Sequence, residues 1–177
     1  MTASATRSPT DGSPVGRLVD EYARGQDVDP AAYSAFIAAY SAAVVGYALL
    51  YRRSGRTLPE GPRAGDIALL GTATFKLSRL ISKDKVTSAL RFPFTRYEGD
   101  APGPEVREEP RGGRLRRRVG ELITCPFCVG QWAGTALMGL YLLSPPAGRA
   151  VAGLLTSIAV SDGLQYADAA LHRTASG

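Results

Sequence analysis

Long uncharged runs are the feature that most constrains the fold of this chain. The first run, residues 30–51, reads PAAYSAFIAAYSAAVVGYALLY and contains no charged residue. A helix rises about 1.5 Å per residue, so a helix of this length spans the roughly 30 Å hydrocarbon layer of a bilayer. Tyr33 and Tyr51 lie near its ends, where interfacial aromatic residues gather, and Arg52 follows. The run predicts a membrane helix, and the alternative is an alanine-rich helix buried in a soluble bundle.

The longest uncharged run covers residues 122–148 and predicts another apolar helix followed by a turn. The turn falls in the SPPAG stretch, because two prolines beside a glycine end a helix. A returning helix follows it, apolar in its first half and more polar in its second. Residues 66–82 are ambiguous, because Lys76 and Arg79 fall inside an otherwise apolar pattern. They predict either a spanning helix with snorkelling cations or an amphipathic helix in the interface plane.

The polar segments predict where the chain leaves the membrane. Residues 1–29 are polar and predict a largely disordered N-terminal tail. Within it, residues 16–24 (GRLVDEYAR) favour a short surface helix that ends at Gly25. Residues 83–120 carry ten Lys or Arg and six Asp or Glu, a net charge of +4. The middle of this loop, residues 99–113, is rich in Pro, Gly and Glu and predicts a flexible segment. Positively charged loops stay on the cytoplasmic side, so loop 83–120 and the C-terminus are predicted to be cytoplasmic.

These segments together predict an all-α fold, a small transmembrane bundle of three or four membrane helices with a flexible basic cytoplasmic loop. The helical membrane domain is predicted over residues 30–171, with helices at about 31–51, 66–82, 122–143 and 149–171 and a C-terminal tail at 172–177. Four spans would place both termini in the cytoplasm, whereas three spans and one interfacial helix would place the N-terminus outside. The predicted location is the inner (cytoplasmic) membrane of a bacterium, as a multi-pass protein.

A series of less common motifs runs along the chain. The motifs are FKLSR at 75–79, DK at 84–85, LRFPF at 90–94 and CPFCVGQW at 125–132. The series resembles the bacterial integral-membrane family known as domain of unknown function 1360, over about residues 65–171. The most specific element is the Cys-Pro-x-Cys-x-Gly-x-Trp block, since this ordered combination is rarer than a bare C-x-x-C. The resemblance implies a small multi-pass membrane protein and implies no reaction.

Cys125 and Cys128 are the only cysteines and allow three interpretations. A C-x-x-C pair at a helix start resembles the redox element of thioredoxin-like proteins, although the strand–helix pattern of that fold is missing. A zinc site would need ligands beyond the two thiols and His172, supplied by a second subunit or by carboxylates. In the structural interpretation, Thr124 is the N-cap, Pro126 occupies the first helical turn and the cysteines pack as small apolar residues.

The helix that begins at this block is predicted to have two packing faces. At about 100° per residue, both cysteines and Trp132 cluster on one face, while Gly130 and Gly134 lie nearly opposite. The Gly-x-x-x-Gly face allows close approach of a neighbouring helix. The pattern favours packing on both faces, with thiol-redox or metal chemistry as the alternative.

One carboxylate is predicted to lie within the bundle. Asp162 falls one or two turns inside the end of the last helix, at a depth where a charged side chain faces a partner or a cavity. Lys76 and Arg79 of the second helix are the candidate partners. The predicted pair is Asp162 with Arg79.

Composition limits the partners and the function. The chain has a net charge of +5 and a pI near 9.5, but its arginines are not interleaved with aromatic residues along one face, so nucleic acid is not the predicted partner. The lipid bilayer accounts for the positive charge. Small residues at 34, 38, 42 and 46 predict close packing against a second copy or another membrane protein. Phosphate-binding and hydrolase motifs are absent, no cofactor is predicted, and a structural or interaction protein is favoured over an enzyme.

Overall fold

The structure, a computed structural model, describes residues 13–24, 28–55 and 61–175, which are mostly helical. Within this part of the chain the α-helices are α1 (Pro14–Ala23), α2 (Pro30–Arg53), α3 (Ala64–Ser82), α4 (Ser88–Arg91), α5 (Arg114–Thr124), α6 (Pro126–Leu143) and α7 (Pro145–Ala175). A short 3₁₀ turn, Lys85–Thr87, precedes α4, and the strands are β1 (Thr95–Asp100) and β2 (Val106–Pro110). The chain divides inside α2 into two compact units, Met1–Ala42 and Ala43–Gly177.

The described part of the first unit consists of α1 and the first half of α2. The Ser13 hydroxyl accepts a hydrogen bond from Gly16 N at 3.0 Å and caps α1. The Asp29 carboxylate accepts from Ala32 N at 3.2 Å at the start of α2. Helix α1 lies where the sequence predicts a short surface helix within the tail that is otherwise predicted to be disordered, and the serine cap and an amphipathic pattern support it. The rest of that prediction, residues 1–12 and 25–27, lies outside the described residues.

The core of the second unit is a bundle of α3, α6 and α7. Helix α6 runs antiparallel to α3, since Gly130 approaches Ser78 while Tyr141 reaches back to Asp66. Helix α7 returns parallel to α3, and Thr156 Oγ1 donates to Leu69 O at 3.1 Å. The buried apolar side chains between the three helices are Leu70, Ala73, Leu137, Tyr141, Ala152 and Leu155. These residues recur at helical spacing, so each helix turns one apolar face inward.

The turn between α6 and α7 is tight because of one glycine. Ser144 is the only residue between the two helices, and Gly148 is buried against the backbone of Tyr141. A methyl group added at Gly148 would lie 2.8 Å from Tyr141 N, which is closer than side-chain carbons are found in proteins. The predicted turn at residues 144–148 is present, but the chain reverses at Ser144 and the prolines begin α7.

The polar connection between α3 and α6 folds into a cap at one end of the bundle. Strands β1 and β2 form an antiparallel hairpin in which Thr95 is opposite Pro110 and Asp100 is opposite Val106. The hairpin corrects the prediction that the fold is entirely α-helical, and β2 lies within residues 99–113, which were predicted as a flexible loop. Both strands are charged and short, so neither shows the apolar alternation that indicates a strand.

Among the helices that the structure describes, α2 alone is long and apolar enough to cross a membrane by length and composition, and none of its apolar window is buried. Such a helix near an N-terminus is weak evidence for a span, and the predicted bundle of three or four spans stays a prediction. Helices α3 and α7 carry ion-pairing residues well inside their ends, which shortens their apolar stretches. Helix α7 also continues through Ala175, which corrects the predicted C-terminal tail over its first four residues.

Candidate functional site

The strongest candidate site is a buried cluster of charged side chains at the C-terminal end of α3. Lys76 Nζ lies 3.0 Å from Asp84 Oδ2 and 2.9 Å from Asp162 Oδ2. The Lys76 side chain is 7% exposed, that of Asp84 8% and that of Asp162 33%. Lys76 thus binds the residue that opens the cap and a residue of α7 at the same time.

Arg79, one turn further along α3, has a different partner from the predicted one. Its Nε donates to Glu105 Oε1 at 2.9 Å, and its guanidinium lies 5.7 Å from the Phe75 ring centroid. The predicted Asp162–Arg79 pair is thus corrected to Asp162–Lys76. The two cations are three residues apart on the helix, and the sequence did not reveal that the cap supplies an acid, Glu105, to Arg79.

A cavity of about 320 Å³ opens beside these ion pairs. Its lining includes Phe75, Lys76, Arg79, Glu105, Asp162 and Tyr166. The Tyr166 hydroxyl approaches Pro102 O at 3.5 Å, so α7 reaches the loop of the hairpin. The cavity therefore lies where α3, α7 and the cap meet.

Arg91 joins the cap together and is completely buried. Its Nε lies 2.6 Å from Glu108 Oε2 on β2. The two Nη atoms donate to Ile81 O at 2.6 Å, Thr87 Oγ1 at 2.8 Å and Asp84 O at 2.9 Å. A guanidinium can satisfy this many acceptors because its donors form a rigid fork. Arg91 lies in the LRFPF motif, but only the hairpin, which the sequence did not reveal, supplies its carboxylate.

A second ionic cluster lies at the opposite end of the bundle. Asp66 Oδ1 and Oδ2 accept from Arg149 Nε at 2.8 Å and Nη2 at 2.9 Å, and Tyr141 Oη donates to Asp66 Oδ2 at 2.9 Å. This bidentate arrangement ties the first turn of α3 to the start of α7. The two clusters lie toward opposite ends of α3 and join it to α7. The Asp66–Arg149 pairing was not predicted from the sequence, whereas Lys76 was one of the two candidate partners of Asp162.

The cysteine block forms the junction between α5 and α6. Cys125 ends α5 and caps α6, and its Sγ accepts from Cys128 N at 3.3 Å. Pro126 occupies the first position of α6, as expected. Thr124 belongs instead to α5, where its hydroxyl bonds back to Gly120 O at 2.8 Å. The predicted Thr124 cap is thus replaced by Cys125.

The two faces of α6 have different surroundings. Gly130 and Gly134 face α3, and a methyl group added at Gly134 would lie 3.3 Å from Thr74 Cγ2. Trp132 is half-buried, Cys125 is half-buried and Cys128 is exposed. Among the residues that the structure describes, no group of three or more His, Cys, Asp or Glu side chains is placed to hold a metal ion.

The exposed side of the hairpin carries a third group of polar contacts. Asp100 Oδ1 lies 2.9 Å from Lys85 Nζ and also accepts from Tyr97 Oη at 2.9 Å. The Lys85 ammonium and the Tyr97 hydroxyl hold the pKa of the Asp100 carboxyl below its usual value. The same contact with Asp100 raises the pKa of Lys85 and of Tyr97.

The ion pairs in these clusters hold separate segments of the chain together. Each carboxylate in the two buried clusters already accepts from a lysine or arginine, and each cluster joins segments that are distant in sequence. The arrangement is suited to fixing helices and cap in one register.

Known proteins resemble the part of the chain that forms this site. Residues 69–168, which include both Lys76 and Asp162, match the family model described as protein of unknown function DUF1360. A curated relative, sporulation protein YjcA of Bacillus subtilis (strain 168), is 34% identical over 97 residues, which cover 50% of this chain and 82% of the relative. No solved structure matches the chain. The chain belongs to the DUF1360 family.

Proposed function

We propose that this protein is an integral protein of the bacterial cytoplasmic membrane that acts as a structural or interaction component and not as an enzyme. The observation that carries the proposal is the apolar outer surface of the helices. On α2 and α7, large apolar side chains such as Ile37, Leu50, Leu154 and Leu164 are each more than 60% exposed. Large apolar side chains exposed on these helices are stabilised by an apolar surrounding, and lipid is the surrounding that fits the uncharged residues 30–51 of α2.

The spacing of the ionic clusters is compatible with insertion of the bundle. Asp66 and Lys76 are ten residues apart on α3, a rise of about 15 Å, and Arg149 and Asp162 are thirteen apart on α7, a rise of about 20 Å. Both rises fall short of the roughly 30 Å hydrocarbon layer. Long side chains can extend the remaining distance by snorkelling, and the Arg149 side chain is 48% exposed.

A non-catalytic role fits both the site and the relatives. The buried charges are used in pairing, which leaves packing as their evident role. The relative's name, sporulation protein, states a cellular process and no reaction. We infer that this protein serves as a scaffold within the membrane, with the lipid bilayer and a second copy or another membrane protein as its partners.

Single-cysteine labelling tests insertion and orientation together. In a Cys125→Ser, Cys128→Ser background, Gly113→Cys places a thiol in the cap, and Pro146→Cys places one at the α6–α7 turn. Both positions are exposed. With the cap cytoplasmic, an impermeant maleimide applied to intact cells should label position 146 and leave 113 unlabelled until the cells are permeabilised. Equal labelling of both, or release of the protein by alkaline carbonate, would refute the proposed topology.

The alternative function is thiol-redox or metal binding by Cys125 and Cys128. The exposure of Cys128 at the start of α6 favours it, because a thiol there is open to reagents. In membranes from intact cells, oxidant should then block both thiols reversibly, and a reductant should restore them. For the structural interpretation we expect Cys128 to react alone, with the half-buried Cys125 reacting only after unfolding. Metal analysis of protein purified without chelator tests the metal-binding form.

A further inference from the structure

The first turn of α5 is unusual because all four of its side chains are exposed. Arg114, Arg116 and Arg117 surround Leu115, whose exposed fraction is 66%. The following turn packs inward, with Arg118 buried and paired to Glu121 Oε2 at 2.8 Å. Three exposed cations surround an exposed apolar side chain, so the complementary surface must carry negative charge beside apolar groups.

The α4–β1 turn extends this surface with a second apolar side chain. Phe92 is 63% exposed, and its carbonyl accepts from Arg111 Nη2 at 2.8 Å. Arg116 Nε donates to Pro93 O. These two arginines fasten the Phe92–Pro93 turn to the start of α5. These hydrogen bonds hold the segments that carry Phe92 and Leu115 next to each other. We call the resulting surface the arginine face, defined by Phe92, Arg111, Arg114, Leu115, Arg116 and Arg117.

The connection to α6 places this face next to the apolar bundle. One residue, Cys125, separates α5 from α6, and Phe127 in the first turn of α6 is 87% exposed. Residues 111–124 contain five arginines and one glutamate, a net charge of +4. Cationic residues with interspersed large apolar side chains, next to an uncharged helix, are the composition that binds an anionic membrane surface.

We propose that the arginine face binds the headgroups of anionic phospholipids, with Leu115 and Phe92 inserted between them. The inference rests on the proposed membrane location and adds lipid selectivity to it. Charge complementarity identifies the occupant, since phosphate of anionic lipids is concentrated at the cytoplasmic surface. An arginine near such a surface contributes about a fivefold preference, so three arginines supply a preference well above that of a neutral surface.

The test measures which lipid lies next to the face in the full-length protein. Leu115→Trp in a Trp132→Phe background provides a fluorescent reporter in vesicles of about one part phosphatidylglycerol to three parts phosphatidylcholine. Bromine is carried on the acyl chains of one lipid or the other. We expect brominated phosphatidylglycerol to quench the reporter at least about fivefold more per mole than brominated phosphatidylcholine, with the difference falling at high salt.

A matched pair of triple variants shows whether the face or the net charge is responsible. Arg114→Gln with Arg116→Gln and Arg117→Gln should bring the preference close to one. The control removes the same charge elsewhere, as Arg96→Gln, Arg107→Gln and Arg173→Gln, and should keep the preference. The proposal is overturned if quenching by the two brominated lipids is nearly equal in the reporter protein with its arginines intact. It is also overturned if both triple variants lose the phosphatidylglycerol preference equally. Binding of a labelled DNA duplex that only the first triple abolishes overturns it too, if no lipid preference accompanies that binding.

The outcome is distinguishable from failure of the proposed function. If the protein is released from vesicles by alkaline carbonate, the membrane proposal fails and with it the inference. If the protein resists extraction but shows no lipid preference, the lipid inference alone fails. Both measurements use the same vesicles.

Discussion

The pairing of Lys76 with Asp162 predicts a specific energetic coupling between α3 and α7. At 2.9 Å and an effective dielectric constant of about 20, two unit charges attract by about 6 kcal/mol. Asp162 is one-third exposed and Lys76 also holds Asp84, so solvent screening and the remaining partner reduce the measurable part. We expect a coupling free energy of about 1–3 kcal/mol between Lys76→Met and Asp162→Asn in a double-mutant cycle.

The single variants should differ in their cost. Lys76→Met leaves two carboxylates without their cation, one of them buried, and should lower the free energy of unfolding by about 3–5 kcal/mol. Asp162→Asn leaves Lys76 paired with Asp84, so its effect should be smaller, about 1–2 kcal/mol. If Lys76 and Asp162 formed a simple pair, both variants would lower the free energy of unfolding by similar amounts. A larger loss for Lys76→Met therefore indicates that Lys76 is shared by two carboxylates.

The assay is reversible unfolding by SDS in mixed micelles, followed by the fluorescence of Trp132. The matched control cycle combines Arg79→Met with Asp162→Asn, and it should show a coupling below about 0.5 kcal/mol because Arg79 is held by Glu105. If Arg79 couples to Asp162 more strongly than Lys76 does, the assignment of partners is wrong. The milder Asp162→Asn variant keeps the test usable if Lys76→Met does not fold.

Three further predictions concern the cap and the α6–α7 turn. Arg91→Lys keeps the charge but loses the guanidinium fork, so we expect a loss of about 2–4 kcal/mol in unfolding free energy and earlier loss of hairpin signals in hydrogen exchange. Gly148→Ala should lower the thermal midpoint in detergent, whereas Gly153→Ala, where the added methyl has open space, should leave it unchanged or raise it. The pKa of Asp100 is lowered mainly by Lys85, so its contribution to stability is present above the usual carboxyl pKa of about 3.9 and is lost as pH falls through the lowered pKa. Amide NMR shifts of the hairpin should follow this loss of stability. The Asp100→Asn variant should not show this pH dependence.

The parts of the fold that sequence patterns could predict are the long apolar helices. Uncharged runs and the Pro and Gly residues that bound them give α2, α6 and much of α7 directly. The hairpin could not be predicted in this way, because about half of its strand residues are charged and they show no apolar alternation. What fixes them is the contact of Glu108 with a buried arginine, and such a contact between distant residues leaves no periodic pattern in the sequence.

The candidate site was predictable in kind but not in detail. Asp162 was identified because a carboxylate in an apolar helix needs a partner, and the two cations of α3 were the candidates. Choosing between Lys76 and Arg79 requires knowing that the cap supplies Asp84 to Lys76 and Glu105 to Arg79. Arg149 and Asp66 each lie near a predicted helix end, where a charged residue needs no partner, so their pairing gave no signal.

The two ionic clusters between α3 and α7 select one register of these helices, which apolar packing alone does not. In the membrane location that we propose, lipid tails are as apolar as the helix faces, so burial of apolar side chains does little to select one register of α3 against α7. A shift of α7 by a single residue, about 1.5 Å along the axis and 100° around it, would separate Lys76 from Asp162 and Arg149 from Asp66 together. An unpaired charge in that environment costs several kcal/mol. The paired clusters therefore stabilise one register by penalising its neighbours, and because Lys76 also holds Asp84, the same contact fixes the cap on the bundle.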